Sequence, residues 1–194
     1  MGAVRLDVRA APGPGVLRRC CPGGDGAGAP DADAAGLQHR LRSEIAARLR
    51  ASVPDGWEVS AGCCWHPSPG PGTLHPDVAV HRALADEGRL QGAPVLCVDV
   101  SDEPAGPRPA RAYARLGVDH HWHVDTRRGT VQVSVRVDAD YRRCETFSSD
   151  SSDSSDSSAT RSAPAGSAWV DFGVGIVHLD GLLLPTTLTT RPSG

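Results

Sequence analysis

Two aspartates occupy short apolar stretches that alternate or run as β-strands do. Asp77 lies in His75-Pro76-Asp77-Val78-Ala79-Val80, and Asp99 lies in Val95-Leu96-Cys97-Val98-Asp99-Val100-Ser101. Carboxylates on two adjacent strands can share one hard divalent cation, because Mg²⁺ takes oxygen ligands and keeps several of its waters. Asp99 is the more demanding of the two: an acid inside a central apolar strand is costly unless paired or metal-bound. Asp77 follows a proline at a strand start, where an aspartate can also cap a turn. Its chemistry therefore depends on whether it meets Asp99.

Other residue types with chemical potential are weaker. Glu44 stands beside the apolar stripe of a helical segment and is a doubtful third acid, since a solvated helix face accounts for it. His120, His121 and His123 place two imidazoles on one strand face, short of the three protein ligands a zinc site needs. Cys20-Cys21, Cys63-Cys64, Cys97 and Cys144 contain no Cys-x-x-Cys pair, so a zinc ribbon has no support. The chain has no lysine; all 20 basic residues are arginine, and the net charge is -3. A global basic field is absent, and contact with nucleic acid must use a local arginine patch.

The elements that must hold these residues can be read from periodicity. Leu37, Leu41, Ile45 and Leu49 recur at four-residue spacing and predict an amphipathic helix over 37–50, with Arg40, Arg42, Arg48 and Arg50 on its outer face. Pro54-Asp55-Gly56 ends it. Trp57–Ala61 alternates as a strand, and the Asp77 strand follows a turn-rich loop at 67–72. The near-continuous apolar run from Pro94 to Ser101 suits a central strand covered on both faces. Ala110–Leu116 reads as a short helix with Pro109 near its first turn and Gly117 past its end. Val118–Asp125 and Val131–Val137 alternate on either side of the Arg128-Gly129 turn, predicting a hairpin with one buried face. Together these predict an α/β domain with a mixed sheet flanked by helices.

Composition sets the limits. The 194 residues carry 39% hydrophobic and 4% aromatic residues, so the core must rest on Val, Leu and Ala. Gly- and Pro-rich residues 1–35 are expected to form a disordered leader. The domain is expected at 36–147, a disordered Ser/Asp-rich insertion at 148–167, a closing segment at 168–186 and a tail at 187–194. Neither a secretory core nor a stretch approaching the ~20 apolar residues of a membrane span is present. A soluble cytoplasmic protein without membrane contact is expected, with self-association left open.

The ordered set Ala51–Trp57, Pro76–Val80, Val98–Ser101, Tyr113–Val118 and Trp122–Asp125 resembles the Uma-type restriction endonucleases of the PD-(D/E)XK nuclease superfamily. The resemblance covers about residues 37 to 147, and Phe172 to Pro185 resembles the family's closing strand and terminal turn. It implies a restriction-endonuclease-like core and Mg²⁺-dependent (or Mn²⁺-dependent) hydrolysis of DNA phosphodiester bonds. Asp77 and Asp99 would be the metal ligands, with the Val100 carbonyl completing the protein's share. Three departures stand out. Asp99 replaces the family's usual Glu, Ser101 takes the place of the superfamily lysine, and Pro109 stands where the family commonly has a lysine four residues before Tyr113. Arg108 or Arg111 could lend charge to a phosphate, but a guanidinium cannot serve as a general base. The alternative implied by the missing lysine is an inactive nuclease-fold module that binds nucleic acid or protein.

Overall fold

The structure is a computed structural model that describes residues 15–19, 32–67, 72–83, 89–90, 92–103, 107–148 and 169–179. Helix α1 spans Ala32–Ser52, longer at its start than the periodicity predicts. Leu41, Ile45 and Leu49 bury its inner stripe, and the Ser52 hydroxyl donates to the Arg48 carbonyl in the last turn. Helix α2 spans Pro107–Arg115 and opens on a proline whose fixed φ suits a first helical position. It closes with Gly117 at φ 88°, the Val118 N–H donating to the Tyr113 carbonyl and the Gly117 N–H to the Ala114 carbonyl. This is the double bond pattern that a left-handed residue makes available at a helix end.

The main sheet has six strands: β2 (Trp57–Ala61), β4 (Val78–Arg82), β6 (Leu96–Ser101), β7 (His120–Asp125), β8 (Thr130–Val137) and β9 (Asp140–Ser148), adjacent in that order. β6 and β7 run parallel, joined by the crossover that contains α2; the other pairs are antiparallel. This is the mixed α/β architecture the sequence predicts, with Trp57–Ala61 matched at both ends. α1 covers one face of the sheet, where Leu41, Ile45 and Leu49 pack with Val78, Val80, Leu96, Val98, Trp122 and Phe172. On the other face Tyr113 of α2 packs with Cys63, Trp65, Ala79, Cys97 and Val118. A short hairpin of β10 (Trp169–Asp171) and β11 (Ile176–His178) returns to the first face, burying Val170, Phe172, Val177 and Leu179. The docking expected of that segment is observed as far as Leu179.

Three expectations change. Gly15–Arg19, inside the expected leader, forms strand β1, which pairs antiparallel with β3 (Cys63–His66) and with β5 (Arg89–Leu90). A ladder to a distant strand supplies the order that its own few apolar residues do not. β7 is buried on both faces rather than one, because it lies between β6 and β8 with a layer on each side. The hairpin of β7 and β8 also gains β9 as a third strand, turned at Asp138 with φ 62°. Residues 32–35 of the expected leader belong to α1; residues 1–14 and 20–31, most of the Ser/Asp insertion and the C-terminal tail lie outside the described residues. Among the described residues no helix is long and apolar enough to cross a membrane.

Candidate metal centre

Asp77 stands one residue before the last paired position of β4, Val78, and Asp99 one residue beyond its partner on β6, Val98. The two acids therefore flank the same end of the β4–β6 ladder. The Asp77 backbone is fixed on both sides: its N–H donates to the Val98 carbonyl at 2.9 Å, and its carbonyl accepts from the Gly62 N–H at 2.7 Å. Its side chain does not cap a local turn. Oδ2 accepts from the Val100 N–H at 2.6 Å, and Oδ1 is paired with the Arg42 guanidinium of α1. Burial pushes the Asp77 carboxyl above the ordinary carboxylate range. The Val100 N–H and the Arg42 charge pull it back, and the nearby Asp99 charge pushes it up again. That last influence is smaller than the first three and shows only that the two acids lie within electrostatic reach.

Asp99 is held from the α2 side. The Tyr113 hydroxyl donates to Oδ1 at 3.1 Å, and His121 Nε2 bonds Oδ2 at 3.0 Å. Tyr113 is buried, which raises its phenol well above the ordinary value and keeps it a neutral donor. The Tyr113, His121 and Tyr141 rings lie against one another, with centroids 5.2 and 5.9 Å apart. Val100, between the acids, turns its N–H toward Asp77. In an extended strand the carbonyl of the same residue faces the same edge, so the Val100 oxygen is directed toward Asp77 as well.

The remaining candidates separate from this cluster. Glu44 is half exposed and paired with Arg48 at 2.8 Å. Arg111 is exposed and lines a surface groove with Arg115, Val137, Asp138, Ala139 and Asp140. That groove lies at the β8–β9 turn, toward the end of the sheet where β7 begins, not where Asp99 sits. The Arg108 side chain lies outside the described residues. Ser101, in the lysine position, exchanges hydrogen bonds with the Glu103 backbone and brings no charge. His123 Nε2 donates to the Glu103 carbonyl while His121 serves Asp99, so the two imidazoles on one face are bound to different partners. Among the described residues no group of three or more His, Cys, Asp or Glu side chains could hold a metal.

Arg42 is the residue that sequence periodicity misplaced. It was expected on the outer face of α1, yet it crosses to Asp77; Arg48 bonds the His178 carbonyl and Arg50 the Val59 carbonyl. Its one sequence signal is its place next to Leu41, at the border of the buried stripe.

The donor set fits a hard cation. It offers carboxylate oxygens from Asp77 and Asp99 and a carbonyl oxygen from Val100, and a cationic group already sits on Asp77. Two carboxylates with waters are a common protein share for Mg²⁺.

Comparison with known proteins agrees at the level of family. The family described as Uma2: Putative restriction endonuclease matches residues 28–163, and the chain belongs to this family. Among solved structures, it is similar to a putative nuclease belonging to DUF820 from Anabaena variabilis ATCC 29413. The identity is 14% and the TM-score 0.41, over 62% of this chain and 69% of that one. No curated protein matches the chain.

Proposed function

We propose that this member of the family is a Mg²⁺-dependent endonuclease that hydrolyses DNA phosphodiester bonds at the Asp77–Asp99 site. The observation that supports the reading is the placement of both acids at the same end of the β4–β6 ladder. When bound, Mg²⁺ would polarise the scissile phosphate and lower the pKa of an attacking water. Asp77 and Asp99 would hold it, and the Val100 carbonyl would complete the protein's share.

The chain's own residues prepare the site. Tyr113 and His121 each bond one oxygen of Asp99 and so fix its carboxylate plane. The Val100 N–H fixes Asp77 in the same way. With no lysine in the chain, side-chain positive charge toward a phosphate would come chiefly from arginine, and among the described residues Arg42 places its guanidinium on Asp77. An arginine can stabilise charge on a phosphoryl group but cannot take a proton from water near neutral pH. Slow turnover follows from that.

The test is nicking of supercoiled plasmid by the full chain with Mg²⁺ or Mn²⁺ and then with chelator, beside single-stranded DNA and RNA. Metal-dependent nicking that Asp77→Ala abolishes is the expected result. Cleavage by Asp77→Ala at the wild-type rate would rule the site out. A second reading, an inactive binding module, draws on two observations: both oxygens of Asp99 are already engaged, and Ser101 stands in the lysine position. Salt-sensitive DNA binding without cleavage would select it.

A further inference from the structure

We infer that Arg42 is a built-in counter-cation on Asp77, one that a divalent ion must displace in order to bind there. The inference rests on the Asp77–Asp99 site proposed above and concerns what that site does before it is loaded.

Each Asp77 oxygen has its own partner. Oδ2 takes the Val100 N–H, which belongs to the sheet and cannot leave without breaking β6. Oδ1 takes the Arg42 guanidinium, which sits on a long side chain rooted in α1. Leu41 and Ile45, both buried, pin the helix backbone on either side of Arg42, so only its side chain has freedom. That side chain is 32% exposed, leaving it a way out to solvent. Its Nε is buried without a hydrogen-bond partner, so the seated pose leaves one donor unsatisfied. Such a donor costs free energy that release to water recovers.

An incoming divalent ion requires the same Oδ1 lone pairs. It cannot share them with a guanidinium, because like charges at contact distance repel. Metal binding is thus an exchange, and the observed affinity is reduced by whatever Arg42 contributes when seated. A partly exposed ion pair is worth little, so the handicap is about 2- to 5-fold rather than several orders of magnitude. The exchange also leaves an arginine loose beside a loaded metal, where a phosphate would lie.

The test titrates the metal-free full chain with Mg²⁺ by calorimetry, without DNA. Arg42→Gln is expected to bind about 2- to 5-fold more tightly than wild type at unchanged stoichiometry, with Arg42→Lys close to wild type. Equal or weaker binding by Arg42→Gln, with wild-type binding intact, would overturn the exchange and leave the metal site standing. If wild type and Arg42→Gln both bind no better than Asp77→Asn, the metal site itself fails and the exchange falls with it. Should Arg42→Gln not fold, Arg42→Met removes the charge while keeping the apolar stem. The wild-type chain gives a separate reading through its Arg42 Nε–H resonance, assigned by its loss in Arg42→Lys. That resonance moves on Mg²⁺ saturation if the pair breaks, and one that stays fixed refutes the displacement.

Discussion

The two faces of the six-stranded sheet are built from the same strands yet differ in kind. The α1 face presents Val78, Val80, Leu96, Val98, Trp122, Val124, Val131 and Val133 to an apolar layer. On the α2 face the intervening residues are mixed: Ala79 and Cys97 join a smaller apolar cluster, while His81, Asp99, His121, His123, Asp125 and Ser134 bring polar groups. A strand side chain has a period of two, so one stretch of sequence can store stability on one face and chemistry on the other. The α2 face is not open: His81 and His121 are buried, each with a partner for a ring nitrogen. The cost of burying polar groups is met there by hydrogen bonds.

The largest expected contrast comes from truncating each face. Trp122→Ala removes a buried ring packed edge-on against Phe172 at 6.1 Å, and should cost about 3–5 kcal/mol. Leu49→Ala, under the same layer, should cost about 2–5 kcal/mol by denaturant unfolding. Tyr113→Phe on the α2 face keeps the ring and removes only the bond to the Asp99 carboxylate, so about 1.5–3 kcal/mol is expected. A Tyr113→Phe cost equal to that of Trp122→Ala would erase the division of labour between the faces.

A smaller effect separates the faces by pH. Burial lowers the pKa of His81, with the Arg82 carbonyl and Glu58 raising it in part. A histidine whose folded pKa lies below its unfolded value contributes stability that is present above the unfolded pKa. That stability is lost as pH falls through the folded one. His120 is lowered for the same first cause. The melting temperature should therefore fall as pH drops below about 6.5, the ordinary histidine value. His81→Gln should flatten that fall, while Leu49→Ala should lower the whole curve without changing its shape. The smallest effect is expected at the rim, where Arg50→Ala removes an exposed bond to the Val59 carbonyl. A change within about 0.5 kcal/mol is expected there.

Much of this was legible because it is periodic. Leu41, Ile45 and Leu49 announced α1, and Asp99 announced itself as an acid where apolar residues should be. What escaped depends on partners far along the chain. Arg42 looks like any exposed helix arginine until a strand end is placed beside it. Gly15–Arg19 becomes a strand only through its ladder to Cys63–His66. β9 carries Arg142, Arg143 and Glu145 among its residues, and that polar content hides a strand at a sheet edge, where charged side chains are tolerated. The second covering of β7 follows from the parallel β6–β7 pair, which alternation within 118–137 cannot reveal.

The β10–β11 clip has a consequence for how this gene product tolerates editing. Gly175 lies so close to the Ser52 carbonyl that an added Cβ would meet it at 2.4 Å, so any substitution at 175 must pry the clip from the end of α1. A single methyl at position 175 should therefore lower the melting temperature, although the residue is far from the acids in sequence.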